Sequence, residues 1–326
     1  MFDQCGRKGV VVGVSGGVDS SVVAALAARA LGHHRVYALF TPEFDSSNDS
    51  VRLGRLLTER LQISSALEDI SPILKAADCY ARRNDAIRSV FPEFTDEYKC
   101  KLVLSALSES NHYPIYSIVI QSPTGETKKK RLTREAYLGV VAATNFKQRT
   151  RKMIEYYHAD RLQYAVAGTP NLLEYDQGFF VKNGDGAADL KPIAHLYKTQ
   201  VYQLAEYLAI PDEIRERRPT TDTYSLEQSQ EEFYFSLPLD VLDLCLYGRN
   251  HDIPPERLTE GSGLGLQQIK RAYAVIDSKR RATKYLHSAP FVLGPPDQKS
   301  LVPSFRQTSE PLLACRSGDE SDVSKS

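Results

Sequence analysis

The residues best suited to chemistry lie in a short polar loop near the start of the chain, residues 15–21, which read SGGVDSS. Gly16 and Gly17 allow the backbone to approach a ligand closely, and the serine hydroxyls can donate hydrogen bonds. If a helix follows the loop, its first N–H groups and its positive dipole end face the same space. Together these features predict a cradle for an anion such as a pyrophosphate group.

Asp19 places a carboxylate inside this cradle, where it would repel a bare phosphate group. The acid is useful there if it binds a Mg²⁺ ion that bridges phosphate groups. The alternative is that Asp19 only caps the first turn of a helix. The loop is not of the Walker A type, because no Gly-Lys-Ser/Thr follows. It also lacks the G-x-G-x-x-G pattern of the dinucleotide-binding fingerprint.

Alternating strand and helix patterns must position this loop. Residues 9–14 (GVVVGV) form an apolar, β-branched run typical of a buried strand, and residues 36–40 predict a second strand. Apolar residues recur at helical spacing between them, and Gly32 fits a helix C-cap. Residues 63–70 predict a weaker strand, and residues 162–168 predict a fourth core strand. The alternation predicts an α/β fold with a doubly wound, mostly parallel, Rossmann-like sheet and helices on both faces.

The remaining segments are predicted from periodicity and composition. Residues 71–112 are expected to be mostly helical, and the basic run KKKR at 128–131 is expected to be a solvated loop. Helical spacing returns at residues 145–158, again from Lys198, and again at residues 266–276. Four aromatic residues are expected to pack in the core or in a lid rather than to stack on a ligand: Tyr224, Phe233, Tyr234 and Phe235.

Composition limits the classes of function. Lys+Arg and Asp+Glu number 41 each, which argues against a protein that binds nucleic acid through bulk charge. No apolar run approaches the roughly 20 residues that span a bilayer, so no membrane partner is expected. Five dispersed cysteines without a C-x-x-C pair favour a reducing, cytoplasmic location. Residues 1–293 are predicted to form one domain, and residues 294–326, rich in Pro, Ser and Gly, a disordered tail.

The loop SGGVDSS resembles the PP-loop of the ATP pyrophosphatase superfamily. Members of that superfamily cleave ATP between its α and β phosphates and adenylate a carbonyl or carboxylate oxygen, and their fold is adenine nucleotide alpha-hydrolase-like. Five further segments resemble, in the same order, the motifs of ammonia-dependent NAD synthetases: NFKQRTR (145–151), GTPNLLE (168–174), GFFVKNGDGAADLKPI (178–193), LYKTQV (196–201) and PTTD (219–222). The resemblance extends over about residues 9–290.

This resemblance implies roles for individual residues. The phosphates of ATP would be bound by the loop residues Gly13, Val14, Ser15, Gly16, Gly17, Val18, Asp19 and Ser20, together with Thr169, Lys198 and Thr220. Mg²⁺ would be bound by Asp19 and Glu174, and the catalytic residues would be Asp19 and Lys198. The dinucleotide substrate would be held by Arg149, Lys182, Asp189 and Lys279. The position of Lys198 supports its implied role. The positive end of a helix dipole disfavours a lysine at the start of a helix, so a contact with phosphate explains this lysine better.

The implied enzyme is a carbon–nitrogen ligase with ATP as co-substrate and Mg²⁺ as cofactor. It would join deamido-NAD and ammonia to give NAD⁺, AMP and pyrophosphate through an acyl-adenylate. The resemblance also implies a homodimer with the dinucleotide site near its interface. Too few residues precede Gly13 for a glutamine amidase, and no cysteine lies in a recognisable amidase motif. Free ammonia, or ammonia from a separate protein, is therefore the expected nitrogen donor.

Two departures from the family pattern leave other substrates open. The usual His-Lys pair of the C-terminal helix corresponds here to Ser278 and Lys279, and an acid after PTTD is replaced by Gln230. These changes favour, as an alternative, an amide ligase of the same family that acts on another carboxylate. A PP-loop enzyme that modifies RNA is a second alternative, although zero net charge and the lack of C-x-x-C pairs argue against it. A nucleotide sensor without catalysis is least expected, because both candidate metal acids are present.

Overall fold

The computed structural model describes residues 5–104, 116–217, 223–228, 234–235 and 237–291. Thr220, Gln230 and the segment 294–326 lie outside these residues, so the predictions made for them stay predictions. The described strands are β1 (Val10–Gly13), β2 (Val36–Phe40), β3 (Ser64–Leu67), β4 (Lys99–Leu104), β5 (Tyr116–Gln121), β6 (Thr127–Arg131) and β7 (Ala165–Ala167).

The described helices alternate with these strands or follow them. They are α1 (Val18–Leu31), α2 (Asn48–Leu61), α3 (Ser71–Ala76), α4 (Cys79–Arg88), α5 (Arg134–Leu162), α6 (Leu172–Gln177), α7 (Lys198–Tyr207), α8 (Asp212–Arg215), α9 (Leu239–Asn250), α10 (Pro255–Ser262) and α11 (Leu266–His287), with a short 3₁₀ turn at His33–Arg35.

The central sheet has the strand order β3-β2-β1-β7, and all of its pairs are parallel. Strand β1 lies inside this sheet, where its valines are 0–1% exposed. Val10 and Val12 pack on the face covered by α1, α2 and α7, whereas Val11 packs with Ala159 of α5 on the other face. A strand covered on both faces must be apolar at every position. The predicted α/β fold with a parallel sheet and helices on both faces is confirmed.

A second, antiparallel sheet with the order β4-β5-β6 corrects two predictions. Residues 99–104, expected within a mostly helical segment, form β4, in which Cys100 and Leu102 are buried at a spacing of two. Period two is the signature of a strand with one covered face. The run KKKR, expected to be a loop, is part of β6; its side chains are exposed as predicted, but its backbone pairs with β5.

Helix α5 joins the two sheets. Its N-terminal half, with Ala136 and Val140, packs against the antiparallel sheet, and its C-terminal half, with Ile154 and Ala159, packs against the central sheet. Thr133 begins the helix, because its side chain accepts a hydrogen bond from the backbone N–H of Ala136. The 29-residue helix therefore fixes the antiparallel sheet beside the C-terminal edge of the central strands.

No helix in the part of the chain that the structure describes is both long and apolar enough to cross a lipid bilayer. Cys79, Cys100 and Cys245 are buried free thiols, and Cys5 is an exposed one.

Candidate active site

The phosphate-binding loop predicted from SGGVDSS lies between β1 and α1. Gly16 has a φ angle of +75°, a conformation that side-chain-bearing residues rarely adopt. A Cβ atom at Gly16 would also lie 2.6 Å from the carbonyl oxygen of Ser50. Gly17 is the N-cap of α1 and has no capping side chain, so the first N–H groups of the helix are directed to the loop. The hydroxyls of Ser20 and Ser21 donate to the Gly17 carbonyl at 3.0 and 2.9 Å.

A second set of polar groups follows β7, which pairs with β1 in parallel. The carboxyl ends of these strands meet at one edge of the sheet, which is where open α/β folds bind ligands. Asn171 caps α6 there: its side-chain oxygen accepts from the N–H of Glu174 at 3.0 Å, and its own N–H donates to the Glu174 carboxylate at 3.2 Å. This capping box fixes the position of Glu174.

Asp19 connects the two sets. The Asn171 amide nitrogen donates to Asp19 Oδ1 at 3.0 Å, and the Lys198 ammonium forms an ion pair with Asp19 Oδ2. Asn171 and Lys198 are each 1% exposed. Asn171 therefore contacts the carboxylates of both candidate metal ligands, Asp19 through its side-chain amide and Glu174 through its backbone N–H. A buried cation, Lys198, pairs with Asp19.

Lys198 is held at this place by the start of α7. Asp243 of α9 accepts a hydrogen bond from the N–H of Thr199 at 2.7 Å, which caps the helix directly after Lys198. Burial alone would lower the pKa of Lys198, but the charges of Asp19 and Glu174 together raise it above its usual value. The lysine is thus kept positively charged inside the protein.

Asp19, Glu174 and Lys198 line a cavity of about 340 Å³. One end is polar and is formed by residues of the phosphate loop and of the edge beyond β7: Ser15, Gly17, Val18, Asp19, Ser20, Thr169, Glu174, Lys198 and Arg217. The other end is mostly aromatic and apolar, and its walls include Leu102, Tyr116, Tyr137, Val141, Phe179, Phe180, Tyr224 and Tyr234. The cavity therefore joins an anion-binding region to an aromatic chamber.

The aromatic chamber is largely the product of the antiparallel sheet and α5. Tyr116 of β5 stacks on Tyr137 of α5, with ring centroids 4.5 Å apart. Burial raises the pKa of Tyr116, of Tyr137, of Tyr224 and of Tyr234, so all four phenols stay neutral at physiological pH. Tyr224 is buried and Tyr234 is half-buried, as packing in the core or in a lid requires, but both also line the cavity.

The other predicted site residues lie off the cavity wall in the described part of the chain. Arg149 donates to the Lys182 carbonyl at 3.2 Å, and Lys182 donates to the Tyr285 carbonyl at 3.0 Å. Asp189 is exposed and accepts from the N–H of Val166 at 2.8 Å. Gly13, Val14 and Gly16 also lie outside the wall. A Cβ atom at Gly13 would lie 2.7 Å from the Glu155 carboxylate.

Lys279 of α11 lies directly behind the aromatic chamber. Its ammonium donates to the Tyr234 carbonyl at 2.7 Å and lies 3.9 Å from the centre of the Tyr234 ring. Burial lowers the pKa of Lys279 to about 7. Ser278, which stands where the family pattern has histidine, is exposed.

Sequence reasoning missed three charged or polar groups of the site. Asn171 was readable from the N-x-x-E pattern of a capping box, although its bond to Asp19 was not. Asp185 lines the cavity, and burial raises its pKa. Arg217 lies 201 positions from Gly16 in the sequence, and no local pattern connects the two.

A parallel α/β sheet whose first strand leads into a glycine- and serine-rich anion loop, with two bridged carboxylates and a buried lysine at the same edge, defines a nucleotide-binding protein of the PP-loop type. The family model described as NAD synthase matches residues 1–91 and 94–285. The NH(3)-dependent NAD(+) synthetase of Mesorhizobium japonicum is 58% identical over 286 residues, which are 88% of this chain and 90% of that protein. This chain belongs to the NAD synthase family.

Two solved structures share the fold. The NMN synthetase from Francisella tularensis superposes with a TM-score of 0.59 at 22% identity, covering 89% of this chain and 92% of that chain. The NH3-dependent NAD synthetase from Campylobacter jejuni subsp. jejuni superposes with a TM-score of 0.57 at 22% identity, covering 90% of this chain and 93% of that chain.

Proposed function

We propose that this chain is a ligase that makes NAD⁺ from deamido-NAD, ammonia and ATP, releasing AMP and pyrophosphate. The observation that carries the proposal is the joined cavity, in which an anion cradle with a buried cation opens into a mostly aromatic and apolar chamber. The identity of 58% to a protein named NH(3)-dependent NAD(+) synthetase supports the same reaction.

In the first step the nicotinate carboxylate attacks the α-phosphorus of ATP. The bond from the α-phosphorus to the bridging oxygen breaks, and pyrophosphate departs with the electron pair. Negative charge then grows on the pyrophosphate, next to the ammonium group of Lys198 and the first N–H groups of α1. Fixed donors and charges aimed at developing charge are the main means by which such sites lower a barrier.

Asp19 and Glu174 fit a Mg²⁺ ion, because carboxylate oxygens are the ligands that Mg²⁺ prefers and phosphate oxygens and water complete its shell. When bound, the ion supplies charge neutralisation to the phosphates. Asn171 contacts both carboxylates: its side-chain amide donates to Asp19, and its backbone N–H donates to Glu174.

In the second step ammonia attacks the carbonyl carbon of the acyl-adenylate, and AMP leaves with an oxygen of the former carboxylate. The aromatic chamber suits this step in two ways. Neutral tyrosine rings can stack on the flat, positively charged pyridinium ring, and an apolar lining excludes the water that would hydrolyse the adenylate. We place the nicotinate ring of deamido-NAD against Tyr116 and Tyr137.

The rest of the dinucleotide is proposed to lie near a homodimer interface on α5. Phe146, Met153 and Tyr157 are 39%, 58% and 60% exposed, and their spacing places them on one face of the helix. Arg149 lies on that same face by helical geometry and contacts the backbone of Lys182. A partner packed on this face would therefore approach the residues that the resemblance assigns to deamido-NAD.

The test is a product assay on the purified chain with Mg-ATP, ammonium chloride and one acyl substrate at a time. We expect NAD⁺ and AMP in equal amounts with deamido-NAD, and far less amide with nicotinate mononucleotide. Preference for another carboxylate would support the alternative amide ligase. Turnover should rise with pH as more NH₃ is present, and glutamine should replace ammonium only to a trace.

A further inference from the structure

Arg217 lines the cavity, but none of the sequence motifs gives this residue a role. The residue lines the polar end together with Ser15, Gly17 and Lys198. Its guanidinium donates to Ser50 Oγ at 3.1 Å and to the carbonyl oxygen of Gly16 at 3.5 Å. These contacts place a fixed positive charge beside the phosphate loop.

The two cations of the cavity wall differ in how their charges are engaged. Among the described wall residues, three are acids (Asp19, Glu174 and Asp185) and two are strong cations (Lys198 and Arg217). The charge of Lys198 is engaged by Asp19. In the described part of the chain Arg217 makes no ion pair, and the two oxygens that accept its hydrogen bonds there are uncharged, so its charge is available to an anionic ligand.

The geometry of the guanidinium leaves donors for a ligand. An arginine side chain carries five N–H donors, and the contacts to Ser50 and Gly16 use two of them. The remaining donors form a planar fork of the kind that binds phosphoryl oxygens in pairs.

A purely structural role explains these contacts less well. The phosphate loop already touches the start of α2 without the arginine, since a Cβ atom at Gly16 would lie 2.6 Å from the Ser50 carbonyl oxygen. An arginine that only held these two segments together would therefore be redundant. A long, charged side chain that is half-buried against two neutral acceptors is better explained by a ligand that completes its shell.

We propose that Arg217 is a further catalytic residue, which binds the β- and γ-phosphoryl oxygens of ATP and stabilises pyrophosphate as it leaves. This inference rests on the proposed adenylation reaction. The bond between the α-phosphorus and its bridging oxygen to the β-phosphorus breaks, the electron pair stays on the departing pyrophosphate, and Arg217 keeps its proton throughout. The hydrogen bonds from its N–H groups strengthen as negative charge builds up on the pyrophosphate oxygens. Stabilising this charge in the transition state raises the rate.

The test compares Arg217→Gln and Arg217→Lys with the matched control Arg52→Gln. Arg52 is an exposed arginine of α2, two positions after Ser50, whose guanidinium pairs with Asp49 and Glu213 outside the cavity. Mg-pyrophosphate and AMP are titrated separately into each folded protein by calorimetry. AMP is the matched ligand, because it lacks the β and γ phosphates.

We expect Arg217→Gln to weaken pyrophosphate binding by about tenfold or more, with AMP binding unchanged within about twofold. The kcat/KM for ATP should fall by a similar factor, and the KM for deamido-NAD should not move. Arg217→Lys should recover part of the loss, and Arg52→Gln should match the wild type. The Lys variant decides the question if the Gln variant does not fold.

Equal losses for pyrophosphate and AMP, or no loss for either, would overturn the proposal. The binding contrast does not depend on which carboxylate is adenylated. The wild-type protein could make no NAD⁺ while Arg217→Gln still weakens the binding of pyrophosphate and not that of AMP. That result would overturn the proposed function and leave this inference standing.

Discussion

Replacing Asn171 by serine tests how the site holds its two acids. Serine is a good N-cap and keeps the start of α6, but it is too short to reach Asp19. A hydrogen bond to a charged group is worth about 1.5–3 kcal/mol, which corresponds to a factor of about 10 to 150. We therefore expect Asn171→Ser to lower kcat/KM for ATP by about one to two orders of magnitude and to raise the Mg²⁺ concentration needed for half-maximal turnover.

The control is Asn171→Ala, which removes the cap as well. Loss of an N-cap costs about 1 kcal/mol, so the alanine variant should unfold at a lower denaturant concentration than the serine variant, while their activities should be similar. AMP release measured over a range of Mg²⁺ concentrations, with unfolding curves for both variants, separates the two effects. A folded Asn171→Ser protein with wild-type kcat/KM and Mg²⁺ dependence would refute the idea that this amide positions Asp19.

Three further predictions follow from the placement of charged groups. Asp19→Asn removes the charge but keeps the size of the side chain, so Mg-ATP turnover should collapse while the protein stays folded; near-normal turnover would exclude a metal-binding role for Asp19. Lys182→Ala should raise the KM for deamido-NAD and leave the KM for ATP unchanged, and equal changes in both would place Lys182 elsewhere. For Lys279, the pKa of about 7 in the folded protein lies below the ordinary value of 10.5, so the unfolded chain binds more protons between these pH values and the free energy of unfolding rises with pH there. Lys279→Met should therefore stabilise the protein most below pH 7, with the difference from wild type shrinking towards pH 10.5; a pH-independent difference in unfolding curves would contradict this.

Local patterns predicted the central sheet because its strands are buried on both faces. Residues 9–14 and 36–40 are apolar at nearly every position, and such runs between helical segments leave few alternatives. Strand β4 was missed although Cys100 and Leu102 alternate with lysines, because the pattern covers only six residues. Strand β6 could not be found, since its lysines carry no apolar alternation and its pairing depends on β5.

The candidate site also has one part that local sequence patterns predict and one part that they do not. Asp19, Thr169, Glu174 and Lys198 were predicted from motifs that fall at strand ends and helix starts, and the parallel sheet brings these ends to one edge. Arg217 and the tyrosine chamber depend on contacts between segments far apart in sequence. Tyr116 and Tyr137, for example, meet only because the antiparallel sheet packs on α5. Their individual sequence contexts carry no sign of a ligand cavity.

The formation of an acyl-adenylate is tested most directly by following the carboxylate oxygens. Deamido-NAD with both carboxylate oxygens of its nicotinate labelled as ¹⁸O is converted with Mg-ATP and ammonium. The masses of the products are then measured by mass spectrometry. Attack of the carboxylate on the α-phosphorus predicts one ¹⁸O atom in AMP, one in the amide of NAD⁺ and none in pyrophosphate. NAD⁺ formed with unlabelled AMP, or with ¹⁸O in released phosphate or pyrophosphate, would contradict the mechanism.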